Sequence, residues 1–98
     1  MSEDRVRIDK WLWHARFYKT RTLASEAVAK GRVWVNGRRI DKASAAIRTG
    51  DVLTLPRGHD VTAVRVCAFA ERRGQASQAQ ALYEILKDSV LESAAPPP

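Results

Sequence analysis

The chain has 98 residues, 45% of them hydrophobic and 29% charged, which suits a single small domain with one core and leaves no room for a second. Seventeen Lys and Arg against 11 Asp and Glu give a formal net charge of +6, and a basic surface draws in polyanions through Coulomb forces and counterion release. The excess is one-sided: residues 1–50 hold 12 Lys or Arg against 5 Asp or Glu, whereas residues 51–98 hold 5 against 6.

Cys67 is the only cysteine, so an intrachain disulfide and a thiolate zinc cage are both excluded, and a reducing, cytoplasmic setting is favoured. No apolar run follows the N-terminal charges, and no stretch nears the roughly 20 apolar residues that span a bilayer. Neither a signal peptide nor a membrane contact is expected.

Met1 to Val6 is polar and reads as a frayed arm. Ile8, Trp11, Leu12 and Ala15 then recur at i, i+3, i+4 and i+7, the spacing of one buried helix face. Lys10, Trp13, His14 and Phe17 fall on the opposite side, and large aromatics there are either covered by another part of the chain or offered to a partner. Thr20 suits the N-cap of a second helix over Arg21 to Lys30, with Leu23, Ala24, Ala27 and Val28 as its apolar side and Gly31 as its stop.

Arg32 to Val35 alternates polar and apolar residues, and Asn36-Gly37 suits a type I′ turn, so a hairpin returning through Arg38 to Ile40 is expected. An alanine-rich connection leads to Gly50-Asp51. Val52 to Leu55 reads as a strand stopped by Pro56, with a turn at Pro56-Arg57-Gly58. Val61 to Phe69 is a longer strand, apolar on both sides and therefore expected to be covered on both, with Cys67 as a small core residue. Beyond Gly74, Ala79, Leu82, Tyr83 and Leu86 recur at helical spacing and predict a C-terminal helix. Residues 91–98 end in SAAPPP, bury little, and read as a disordered tail.

Catalysis would need a nucleophile with a base, paired carboxylates, a phosphate-cradling loop or a metal, and no such set is visible. His14, His59 and Cys67 are the only soft ligands and have no zinc spacing, so no metal or cofactor is expected. What stands out is charge. Arg7, Arg16 and Arg21 can present planar forks to phosphate, while Lys10, Lys19 and Lys30 act as point charges. Such contacts position a protein on a nucleic acid without reading its sequence, so recognition of a folded shape is expected.

His14, beside Lys10, is a further candidate contact. Trp13 and Phe17 either stack on unpaired bases, worth about 1–3 kcal/mol each, or lie under the C-terminal helix. Trp11 is structural. Arg38 and Arg39, at the hairpin tip, either enter an RNA groove or guard a strand edge. Trp34 either lies under the hairpin or is exposed beside Arg32.

The blocks R-I-D-K-W-L, A-R-F, K-T-R, A-x-x-x-G-R-V-x-V-N-G and T-G-D-V-L occur in that order over residues 7–55. Together they resemble the alpha-L RNA-binding domain family, named after protein four of the small ribosomal subunit. The resemblance implies an α+β fold in which two N-terminal helices pack on a small β-sheet with a hairpin. Residues 56–90 would extend the same domain with a strand and a helix. It also implies RNA contact by Arg7, Lys10, Arg16, Lys19, Thr20, Arg21, Lys30 and Arg32. Thr20 stands where many members have serine, which keeps the capping hydroxyl. Ala43 stands where the family often has proline.

The run DKWLWHARFYKTR is most similar to a free-standing bacterial heat-shock branch of that family. This implies a non-enzymatic protein that binds rRNA of the large ribosomal subunit; the oligomeric state stays open, with a monomer favoured. It would recognise dissociated subunits still carrying peptidyl-tRNA and help return them to use. Two other readings stay open. One is an RNA-docking subunit acting with an rRNA- or tRNA-modifying enzyme, since residues 56–98 are too few for a catalytic domain. The other is a general nucleic-acid binder that also takes DNA non-specifically.

Overall fold

Apolar residues at helical spacing in the first third of the chain and at strand spacing in the middle need a common place to bury. In the computed structural model, which describes residues 5–57, 60–70 and 73–87, they share one core. The order is β1 (Arg5–Arg7), α1 (Ile8–His14), α2 (Arg21–Ala29), β2 (Val33–Val35), β3 (Arg38–Ile40), β4 (Ala46–Arg48), β5 (Val52–Arg57), β6 (Asp60–Val66), α3 (Ala76–Gln80) and β7 (Tyr83–Lys87). β1 and β4 form a two-stranded sheet, and β3-β2-β5-β6-β7 form a five-stranded one, antiparallel throughout. The fold is α+β.

Ile8, Trp11, Leu12 and Ala15 are all buried, as their spacing predicts, against Val28 of α2, Val33, Ile47, Leu53, Leu55 and Val64. The Trp11 indole N–H donates to the Ala68 carbonyl at 2.9 Å, so its one polar group is satisfied inside the core. The Thr20 hydroxyl accepts from the Leu23 N–H at 3.0 Å and caps α2. Leu23 itself, expected on the apolar side, is 44% exposed; Ala24, Ala27 and Val28 form the buried stripe.

α1 and α2 end in the same way. Gly31 takes φ +74°, and the N–H groups of Gly31 and Arg32 reach back to the carbonyls of Val28 and Ala27. At the end of α1, Arg16 takes φ +67°, and the N–H groups of Arg16 and Phe17 reach Trp13 and Leu12. These are Schellman stops, the one at Arg16 with arginine where glycine is usual. α1 therefore ends at His14, and Phe17 is not on it.

Asn36 and Gly37, at φ +52° and +84°, turn β2 into β3 as a type I′ hairpin. Elsewhere pairing overrides the local reading. Arg5 and Val6, expected in a loose arm, pair with Arg48 and Ile47, and β4 lies within the supposed irregular connection. Burial of Ile47 in the core explains that strand.

β5 runs through Pro56, which pairs with Val61 on β6. The described pairing of β2 with β5 reaches only Leu53 and Thr54, so a missing N–H at Pro56 breaks no ladder on that side. β6 buries Thr62, Val64 and Val66 and leaves Arg65 exposed, so it is covered on one face only; Cys67, just beyond it, is exposed rather than in the core.

The C-terminal helix is present but spans only Ala76–Gln80, and Tyr83–Lys87 adds to the sheet as an edge strand. The N–H groups of Cys67 and Ala68 both donate to the Leu82 carbonyl, at 2.8 and 3.2 Å, which brings the chain beside β6. A free sheet edge then outcompetes helical spacing over these few residues. The expected arm at residues 1–4, the turn at Gly58 and the tail at 91–98 fall outside the described residues. Among those described, no helix is long and apolar enough to cross a membrane.

Candidate nucleic-acid interface

The basic helices are organised by an acid. Asp9, in the first turn of α1, is only 1% exposed. Its carboxylate accepts from Arg7 Nε and Nη2 at 3.1 and 3.0 Å and from the Ser25 hydroxyl at 2.8 Å, and it lies 3.6 Å from Arg21 Nε. Burial alone would raise the Asp9 pKa, but hydrogen bonds from Arg7 and Ser25 and the charges of Arg21 and Arg7 hold it below the ordinary value. Arg7 and Arg21, which come from different elements, are thereby fixed on one surface. Their side chains stay 50% and 41% exposed, leaving N–H groups for a ligand.

A second cluster involves the far end of the chain. The left-handed backbone at Arg16 sends its guanidinium to the Gly74 carbonyl, with Nε at 3.0 Å and Nη2 at 2.7 Å. Arg73 donates to the Trp13 and Tyr18 carbonyls at 3.1 and 3.5 Å, and its guanidinium lies 5.9 Å from the Trp13 ring centroid. Arg16 thus ties the C-terminal segment to the helix pair, and only its remaining edge is open to a phosphate.

His14, a candidate contact in the sequence, is 2% exposed and belongs to the interior. Burial lowers its pKa, a hydrogen bond to the Ala70 backbone works the other way, and the charges of Lys10, Arg21 and Arg73 lower it further.

Phe17 is also withdrawn. Its ring lies 6.1 Å from Trp11 and 4.7 Å from Tyr83, in tilted contacts that close the core, with β7 rather than a helix supplying the cover. Trp13 stays half-buried beneath Arg73.

Lys19 and Thr20 are exposed before α2, Lys30 and Arg32 are exposed after it, and Arg38 is exposed on β3. Arg7 and Arg21 are brought together on Asp9, and Arg73 is brought over Trp13. Lys30, Arg32 and Arg38 belong instead to the end of α2 and the hairpin. Asp9 and Arg73 were missed as site residues. The spacing R-x-D in the first block carried a signal for Asp9, whereas nothing local marks Arg73, whose role depends on a contact 60 residues away. Among the described residues, no group of three His, Cys, Asp or Glu could hold a metal ion.

A helix pair sharing a core with an antiparallel sheet and a type I′ hairpin is the architecture of an S4 domain, and the S4 domain model matches residues 6–53. The chain belongs to the S4-domain family, in the branch that holds Heat Shock Protein 15 and the RQC P-site tRNA stabilizing factors. It is 49% identical over 85 residues to Heat shock protein 15 of Escherichia coli K12, which covers 87% of this chain and 63% of that protein. It therefore spans a little under two thirds of that relative's length.

The RQC P-site tRNA stabilizing factor of Bacillus subtilis 168 is 36% identical over 86 residues, covering 88% of this chain and 98% of that protein. A trimeric structure of Vibrio cholerae Heat Shock Protein 15 superposes with a TM-score of 0.81 at 42% identity, covering 90% of this chain and 88% of that one. That trimer lends no support to the monomer favoured from the sequence.

Proposed function

We propose that this chain is a non-enzymatic RNA-binding protein that docks on large-subunit rRNA and acts on large subunits carrying peptidyl-tRNA. The observation that carries the reading is the buried Asp9 carboxylate, which holds Arg7 and Arg21 together. Two guanidiniums fixed from behind present their outer N–H groups in a set geometry, so phosphates at matching spacing are captured without ordering two long side chains at the moment of binding. Arg73 and Lys10 extend the positive field, and Lys19, Lys30, Arg32 and Arg38 lengthen its reach.

Contacts of this kind select shape rather than sequence, which suits folded rRNA. The Bacillus relative is a P-site tRNA stabilizing factor, which supports a ribosomal ligand in which tRNA remains bound. No cofactor is required, and a ribosomal partner implies a cytoplasmic setting.

The test is sedimentation of the protein with purified large subunits, with and without bound peptidyl-tRNA. Comigration with large subunits, increased by peptidyl-tRNA, is expected. Equal spread over small subunits, free RNA and duplex DNA would overturn the reading in favour of a general nucleic-acid binder.

A further inference from the structure

The five-stranded sheet buries one face under the helices. Val33, Leu53, Leu55, Thr62, Val64 and Val66 all point there. Alternation sends Trp34, Thr54, Pro56, Val61 and Ala63 to the opposite face, where an antiparallel sheet open to solvent normally carries polar side chains. Here that face holds a groove of about 300 Å³ lined by Gly31, Arg32, Trp34, Pro56 and Val61.

Register sets the paired neighbours of the indole. Trp34 pairs directly with Arg39 on one side and with Thr54 on the other, and Thr54 pairs with Ala63. Directly paired residues share a face, so a cation flanks the ring on one side and small side chains flank it on the other. The Arg39 side chain also crosses Gly31: a Cβ built at Gly31 would lie 3.3 Å from Arg39 Cδ and 3.5 Å from Nε. Arg32, on the groove wall, completes the cationic rim. The groove is separate from the Asp9 cluster, which is built from β1, α1 and α2.

We propose that this groove is a second RNA contact, a stacking site for one unpaired nucleobase over Trp34, with the flanking phosphates on Arg32 and Arg39. The inference rests on RNA being the ligand, as argued under Proposed function, and adds a base contact to what is otherwise a phosphate grip.

Three features favour a nucleotide over another occupant. A tryptophan gives a broad π-face, and the volume lies at the small end of ligand clefts, where one base and its ribose fit. Two guanidiniums at the rim suit an anionic strand. A second copy meeting this face across a two-fold axis would set its own Arg32 and Arg39 against these, an unfavourable like-charge contact. Because every base has a π-face, the site would tolerate any base and select for one that is extruded or single-stranded.

The experiment uses the full chain and a single-stranded oligoribonucleotide carrying one 2-aminopurine, whose fluorescence falls when it stacks. The parent protein should quench it, and Trp34→Thr, which keeps a strand-forming residue, should abolish the quenching and weaken binding about 5- to 150-fold, the range for removal of one base stack. The salt dependence should stay unchanged, since no phosphate contact is removed. Trp34→Phe, which retains a ring and serves if the threonine variant folds poorly, should lose less.

Unchanged quenching and affinity in folded Trp34→Thr would overturn this inference while leaving RNA binding by the helix pair intact. Conversion of a self-associated parent into monomers by the same substitution, without loss of RNA affinity, would overturn it in favour of an interface between copies. Absence of RNA binding by the parent would instead sink the underlying reading.

Discussion

Replacing Asp9 by asparagine sets charge against geometry with opposite signs. The substitution removes one negative charge from a chain of net charge +6, so simple charge counting predicts tighter RNA binding and a steeper salt dependence. The arrangement around Asp9 predicts the reverse. An amide oxygen can accept from one or two of Arg7, Ser25 and Arg21 but no longer attracts both guanidiniums, and its N–H₂ group faces them as a donor.

A hydrogen bond to a charged group contributes about 1.5–3 kcal/mol, and the half-exposure of both arginines reduces this through solvent screening. Mispositioning the pair should therefore cost about 1–2 kcal/mol of RNA binding, roughly five- to thirtyfold, and flatten the salt slope by about 0.7–0.9 for each phosphate no longer engaged. The assay is an equilibrium titration with large-subunit rRNA at several salt concentrations, with thermal melts to show that the variant is folded. A folded Asp9→Asn protein that binds more tightly, with a steeper slope, would refute the positioning role of Asp9.

Asp9 also predicts acid sensitivity. A pKa held below its ordinary value of 3.8 contributes stability that is present above that value and lost as pH falls through the lower, folded pKa, so Asp9→Asn should melt with less pH dependence than the parent below about pH 4. His14 acts with the same sign at higher pH. Its folded pKa lies below 6.5, the unfolded chain binds the proton first, and stability should decline as pH drops from 6.5; His14→Gln should flatten the melting temperature between about pH 6.5 and 5. At Arg16 the positive φ makes alanine the worse replacement, so in urea denaturation Arg16→Ala should be less stable than Arg16→Gly by about 1 kcal/mol, and equal values would argue against the left-handed stop. A Cβ at Gly37 would meet nothing within 4 Å, so Gly37→Ala should lose only the conformational term, about 1 kcal/mol, seen as a lower urea midpoint with an unchanged m-value.

Much of the helical half was legible because its signals act over a few residues. The core face of α1, the Thr20 cap, the Gly31 stop and the Asn36-Gly37 turn each follow from steric and hydrogen-bonding limits within one turn of chain, and the basic excess of residues 1–50 is a matter of composition. Tertiary structure decided the rest. β1, β4 and β7 exist because partners distant in sequence offer backbone hydrogen bonds, and Pro56 stays in a strand because its neighbour on one side stops short. Spacing marked His14 and Phe17 as outward-facing, but His14 is covered where the Ala70 backbone reaches it, and the left-handed turn at Arg16 takes Phe17 off α1 and against Trp11 and Tyr83. Which cations work together was likewise undecided until folding brought Arg7 and Arg21 to one buried carboxylate and Arg73 to the carbonyl of Trp13. Charge can be counted along a chain, but its arrangement depends on contacts between residues far apart in it.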